Sequence, residues 1–291
     1  MKHIHFNRKK LLRAIYLACV AALLTGVSHA QVTAPYSTDF PGNSGALTTS
    51  TGNAGGVMNP TVSTPAGGGL VASFTSGSSY GKVGYIDATV PVTNLGPSIS
   101  ANNFTESTDF SFSSTSGIGS LAAALGALGD RSNFNAFSGN SYVASLTVYN
   151  NDGSGVDKSG GISLTAFASN GGTSLATGSL GPIVITDTYN LTLTGTYDGT
   201  GDLTLGFTVT DLNNPSSTTT ISSIILAGSV LTGDNFGVEA SAANRSAGAI
   251  HFNDFSVDLG SAVPEPSDYA LMILGGVALL GVARRQKKVT G

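Results

Sequence analysis

Residues 191–210 read Leu-Thr-Leu-Thr-Gly-Thr-Tyr-Asp-Gly-Thr-Gly-Asp-Leu-Thr-Leu-Gly-Phe-Thr-Val-Thr, and this stretch decides the fold class. Leu191 and Leu193 alternate with Thr192, Thr194 and Thr196. Beyond the turn, Leu203, Leu205, Phe207 and Val209 alternate with Thr204, Thr208 and Thr210. A period of two marks a strand with one apolar and one wet face. Threonine suits the wet face, because its branched Cβ fits the pleat while its hydroxyl meets water. Between the two runs, Asp198-Gly199-Thr200-Gly201-Asp202 supplies the residues of a hairpin turn.

The same alternation continues outward. Tyr142, Ala144, Leu146 and Val148 share one face, with Ser145 and Thr147 on the other, and Asn150-Asn151-Asp152-Gly153-Ser154-Gly155 closes that strand with turn residues. Further strands are predicted over 70–74, 83–90, 110–113, 162–168, 221–226, 236–240 and 249–259. In the last of these, Ile250 and Phe252 are in one phase and Phe255, Val257 and Leu259 in the other, so a bulge near Asn253-Asp254 is expected. Leu121 to Leu128 can be read two ways: its alanines favour a helix, its surroundings a strand. The Gly/Ser/Thr-rich stretch 42–69 is expected to be irregular. The prediction for residues 31–262 is one all-β body, an antiparallel β-sandwich.

Both ends read as addresses. A basic stretch ends at Arg13, an apolar run follows from Ala14 to Leu24, and Ser28-His29-Ala30 offers small residues for cleavage. Residues 1–30 are therefore expected to be a signal peptide, delivered to the Sec translocon and cut by signal peptidase between Ala30 and Gln31. A lipoprotein reading at Cys19 would shorten the apolar run to five residues after Arg13. At the other end, the hinge 263–268 contains Val263-Pro264-Glu265-Pro266, whose prolines break both helix and strand. It precedes the apolar run 269–283, expected to be one transmembrane helix, and the basic end 284–288 with Arg284, Arg285, Lys287 and Lys288. The positive-inside bias keeps that end cytoplasmic and the ectodomain outside.

Charge divides the chain in the same way. Charged residues make up 10% of 291, and nine of the 13 Lys and Arg sit in the two ends. Between Gln31 and Val263 only Lys82, Arg131, Lys158 and Arg245 face fifteen acids, a net −11. Nucleic acid, which needs clustered cations, is excluded as a partner. With Cys19 the sole cysteine, disulfides and thiol catalysis are excluded too.

The tail resembles the PEP-CTERM sorting signal, also known as an ice-binding protein C-terminal domain: a Pro-Glu-Pro hinge, a short membrane helix and an Arg-rich end. The resemblance implies a Gram-negative exosortase substrate, transiently anchored in the inner membrane. It would then be released to the cell surface or exterior in association with exopolysaccharide or biofilm. Residues 140–260 resemble laminin-G-like, concanavalin-A-like jelly rolls through Ser141-Tyr142-Val143-Ala144, Tyr189-Asn190-Leu191-Thr192-Leu193, Phe236-Gly237-Val238 and 250–257. That likeness implies two curved sheets with any ligand on the concave face or rim loops.

Acid–base chemistry finds little to work with. The body holds two glutamates, Glu106 and Glu239, and Glu106-Ser-Thr-Asp109 puts its acids on opposite faces of an ideal strand. A retaining glycosidase needs two carboxyls about 5–5.5 Å apart on one surface. His251, the one histidine after Ala30, is expected opposite Ile250 and Phe252 on a sheet face. Calcium would find hard oxygen donors at Asn150, Asp152 and Asp157, and a weaker set at Asp198 and Asp202, although no complete EF-hand loop is present. Thr192, Thr194 and Thr196 form a short hydroxyl ladder of the kind ordinary strands carry. The expectation is an exported surface or matrix protein without enzymatic activity and without an obligatory cofactor. The alternative is a carbohydrate-binding, lectin-like module for a secreted polysaccharide.

Overall fold

The computed structural model describes residues 32–33, 36–40, 48–54, 60–75, 83–93, 103–116, 119–130, 140–150, 158–168, 171–198, 200–244 and 247–260. These form two sheets. The first contains β1 (Val32–Thr33), β3 (Thr48–Ala54), β6 (Val83–Thr93), β8 (Gly119–Gly129), β9 (Ser141–Asn150), β10 (Lys158–Ala168), β11 (Gly171–Ile183) and β15 (Asn235–Asn244). Its order is β1-β6-β15-β8-β9-β10-β11, with β3 also paired to β6. The second contains β2 (Tyr36–Thr38), β4 (Thr61–Ser63), β5 (Leu70–Phe74), β7 (Phe104–Ser116), β12 (Thr188–Tyr197), β13 (Leu203–Asp211), β14 (Thr218–Ile225), β16 (Ala247–Phe252) and β17 (Phe255–Leu259). Its order is β14-β13-β12-β7-β16-β5-β4, while β17 joins β7 to β2. Every pairing is antiparallel except the short β1–β6 contact. The protein is an all-β, two-sheet antiparallel sandwich.

The core lies between the sheets. The nine-stranded sheet contributes bulk: Phe110, Phe112, Tyr189 and Phe252 meet with ring centroids 5.2–6.5 Å apart. The eight-stranded sheet contributes small side chains, among them Ala88, Ala123, Ala144, Ala240 and Ala242, all sealed from solvent. Large against small lets the layers interdigitate at close packing. This resolves the 121–128 ambiguity. The stretch is β8, and its alanines serve a sheet that lies close against β7, β12 and β16 rather than a helix. Gly195 follows the same logic, since a Cβ there would sit 2.0 Å from Phe104 Cε1. The Phe104 ring crosses the gap to Phe236, centroids 5.4 Å apart.

The expected break near Asn253-Asp254 is present and has a clear cause. Phe252 pairs with Phe110, while Ser256 pairs with Ser107, so the β16–β17 side carries one extra residue. Asp254 Oδ1 accepts the Asp109 N–H at 2.7 Å, and the Asp254 carbonyl accepts the Thr108 hydroxyl. Both phases then face the core, with Ile250, Phe252, Phe255 and Val257 buried.

Other boundaries differ from expectation. The 42–69 stretch is not wholly irregular: β3 and β4 lie within it, and β-branched threonines there pair with β6 and β5. β7 is far longer than 110–113, because its inward Glu106 and Thr108 interrupt the apolar alternation that would have announced it. β11 went unpredicted: it is an edge strand largely exposed on both faces, so no alternation marks it. Among the described residues no helix is long and apolar enough to cross a membrane. The expected signal peptide 1–30, hinge 263–268, transmembrane helix 269–283 and basic end 284–288 lie outside the described residues.

Candidate functional site

The short Thr192–Thr194–Thr196 ladder belongs to something larger. Cross-strand register aligns Thr220, Thr208, Thr192, Ser107, Ser256 and Ser37 into one hydroxyl row running over six strands of the nine-stranded sheet. A parallel row holds Thr218, Thr210, Asn190 and Asp109, and another Ser222, Gly206, Thr194, Thr105 and Asp258. All lie on the outer face, opposite buried Leu191, Leu193, Phe207 and Val209. Neighbouring hydroxyls bond to each other: Thr208 with Thr220 at 2.9 Å, Thr218 to Thr210 at 3.2 Å, Ser107 with Ser256 at 2.8 Å. Such pairs stiffen a surface that β-branched side chains already keep in few rotamers.

At the centre, Asn190 joins two rows. Its amide donates to Asp109 Oδ1 at 2.7 Å and its Oδ1 accepts the Thr192 hydroxyl at 2.8 Å. Amide, carboxylate and hydroxyl together offer donors and acceptors on one outward surface, the chemistry a polyol needs. His251 lies on the same outer face, opposite buried Ile250 and Phe252, in register with Ser111 and Val71.

The sequence-predicted acids go elsewhere. Glu106 and Asp109 do point to opposite faces. Glu106 is 0% exposed and lies between the sheets, where its Oε1 accepts the Gly237 N–H at 2.8 Å. That N–H turns inward at a bulge, where the β15–β8 register shifts between Asn235 and Gly237. Glycine is needed there because a Cβ would sit 2.1 Å from the Ala88 carbonyl oxygen. Glu106 Oε2 has no hydrogen-bond partner among the described residues. Burial pushes the Glu106 carboxyl well above the ordinary range, against the smaller opposing effect of the Gly237 hydrogen bond. Its position ties the two sheets together.

Glu239 forms an acidic pairing that the sequence does not announce. It is the direct cross-strand partner of Asp87, on the outer face of the eight-stranded sheet. Asp87 is fully buried and accepts a long 3.4 Å hydrogen bond from Ser50. Burial first, and the Asp87 charge second, raise the Glu239 carboxyl well above its usual value. Around them this face is small and apolar: Ala124 is in register with Glu239, Gly126 with Gly237, and Val143 packs with Phe167. Only strand pairing brings residues 87 and 239 together, so neither neighbourhood signals it in sequence.

The calcium candidates divide. Asp152 and Asp157 lie outside the described residues, and Asn150 is the last residue of β9. Asp198 is committed to its own turn, with Oδ1 accepting the Thr200 N–H and hydroxyl at 2.8 Å and the Asp202 N–H at 2.9 Å. Those bonds, led by the Thr200 hydroxyl, hold its carboxyl below the usual range. Asp202 in turn accepts the Ala227 N–H. Among the described residues no group of three or more His, Cys, Asp or Glu converges to hold a metal. Ala30, Gln31, the 263–266 hinge and Arg284, Arg285, Lys287 and Lys288 lie outside the described residues.

An all-β sandwich with a hydroxyl-lined outer sheet face is the class these observations define. No protein-family profile matches the sequence, and no curated protein matches it. Among solved structures it is similar to the Lotus tetragonolobus seed lectin, at 13% identity over 79% of this chain and 100% of that one, TM-score 0.45. It is also similar to lectin I from Ulex europaeus in complex with the methyl glycoside of α-L-fucose, at 9% over 77% and 97%, TM-score 0.48. The PL-14 alginate lyase from Aplysia kurodai is similar at 15% over 76% and 97%, TM-score 0.45. With TM-scores below 0.5, these likenesses carry no role across to this chain.

Proposed function

We propose that the chain is an exported carbohydrate-binding module without enzymatic activity, which engages a secreted polysaccharide. The observation that carries this reading is the open face of hydroxyls around Asn190 and Asp109, set against carboxyls withdrawn from contact at Glu106 and Asp87. A surface rich in paired donors and acceptors, with Glu106 withdrawn between the sheets, suits holding a sugar better than cleaving one. The jelly-roll, concanavalin-A-like form of the sandwich belongs to this proposal. So does its delivery: Sec export, cleavage after Ala30, and exosortase processing at Pro264-Glu265-Pro266 that leaves the module at the cell surface or in the matrix.

A glycan array tests the binding claim directly, using processed protein collected from the host's medium, with and without calcium. Binding to polysaccharide fragments supports the module. Uniformly blank spots would return the chain to the other reading, an exported matrix protein without a sugar ligand. Hydrolysis of a bound glycan that is lost in Glu106→Gln would revive an enzyme.

A further inference from the structure

We infer that the polysaccharide lies on the outer face of the nine-stranded sheet, across β14, β13, β12 and β7, and that it is a neutral polymer. This rests on the carbohydrate-binding reading above and adds to it the surface and the charge of the ligand. Three features of the face carry the inference.

The first is continuity. The row Thr220–Thr208–Thr192–Ser107–Ser256 crosses five strands, and a second row, Thr218–Thr210–Asn190–Asp109, runs beside it. Within a row, side chains repeat at the strand spacing of about 4.8 Å, so an extended polymer laid along it meets one side chain after another. The outer face of the other sheet has no such run, being interrupted by Ala124, Gly126, Gly237 and Val143.

The second is unspent hydrogen-bonding capacity held in place. A hydroxyl has one proton to donate and two lone pairs. In the Thr208–Thr220 and Ser107–Ser256 pairs one proton is used, leaving the partner's proton and the remaining lone pairs to meet a ligand. Stiff β-branched side chains lose little freedom when a ligand arrives, which removes one of the costs of binding.

The third is charge. No strand of this sheet contains Lys or Arg, while Asp109, Asp254 and Asp258 stand on it or at its bulge. A polymer bearing uronate or sulfate groups meets repulsion from these carboxylates, and a neutral one does not.

The test is affinity electrophoresis of the processed protein in native gels containing hydroxyethyl cellulose, dextran or alginate. We expect wild type to be retarded by at least one neutral polymer and not by alginate. The double variant Thr192→Val with Thr208→Val keeps β-branched shape and removes hydroxyls from two adjacent strands. It should run normally in polymer-free gels, unfold at an unchanged urea midpoint, and lose about tenfold in affinity for the retarding polymer. Ser163→Ala, on the outer face of the other sheet where Ser163 bonds Ser145, should behave as wild type. Equal retardation of wild type and the double variant overturns the inference while sparing the carbohydrate-binding reading. Retardation by alginate alone overturns the charge assignment. Wild type passing unretarded through every gel overturns the functional reading and the inference with it.

Discussion

Glu106→Gln should stabilise the protein at neutral pH, by an amount that grows with pH. Glu106 is sealed between the sheets, and burial holds its carboxyl well above the ordinary range. In the unfolded chain the same group releases its proton near the model-peptide value of about 4.3. Between that pH and the folded value, the native state binds one more proton than the unfolded state, so stability falls by about 1.4 kcal/mol per pH unit. The stability associated with neutral Glu106 is thus full below about pH 4.3 and is lost as pH climbs toward the folded pKa. Glutamine keeps Oε1 as the acceptor for Gly237 and has no proton to lose, so its profile lacks this slope. Alanine isolates the other half of the interaction. At pH 4.5, where Glu106 is neutral in the fold, Glu106→Ala leaves the Gly237 N–H unpaired in the core, at a cost of about 1–3 kcal/mol. Urea unfolding at half-unit steps from pH 4.5 to 8 measures all three proteins. Other titrating groups cancel in the difference, being distant and independent. Parallel profiles for wild type and Glu106→Gln across that range would refute the buried, proton-holding carboxyl.

Glu239→Gln should raise stability by about 1 kcal/mol more at pH 7.5 than at pH 5, its partial exposure limiting the effect, because its raised carboxyl loses stability as pH rises. An equal gain at both pH values, by urea midpoint, contradicts the raised carboxyl that burial and Asp87 together produce. Gly237→Ala, whose Cβ would meet the Ala88 carbonyl rather than a movable side chain, should cost about 3 kcal/mol; wild-type melting behaviour would refute the close approach. Intact mass of the released protein should lack everything beyond the Pro264-Glu265-Pro266 hinge, and retention of Arg284–Lys288 would rule out processing there.

What the sequence discloses follows from where apolar alternation survives. β12 and β13 are legible because their inward positions are apolar or glycine as far as Val209, and their outward ones polar or glycine. The β16–β17 break is legible as well, since a change of phase between Phe252 and Phe255 demands an extra residue. β8 is not, because alanine belongs equally to helix and strand until Phe110, Tyr189 and Phe252 are known to need small partners opposite. β11 and β3 are edge strands with little to bury, so periodicity does not mark them. The candidate site shows the same division. One ladder, Thr192 to Thr196, can be seen in a single strand. Its extension through Thr208, Thr220, Ser107 and Ser256 depends on register between distant segments, as does the pairing of Asp87 with Glu239.

Hydroxyl-radical footprinting of the processed protein in hydroxyethyl cellulose reads the binding face itself. Ile224, 68% exposed and in register with Thr204 on the outer face of the nine-stranded sheet, is a reactive reporter beside the hydroxyl rows. Tyr149, 42% exposed on the other sheet, is its internal control. Protection of Ile224 with Tyr149 unchanged is the predicted result. Protection of Tyr149 alone, or of neither residue under conditions where the polymer retards the protein, would contradict the account.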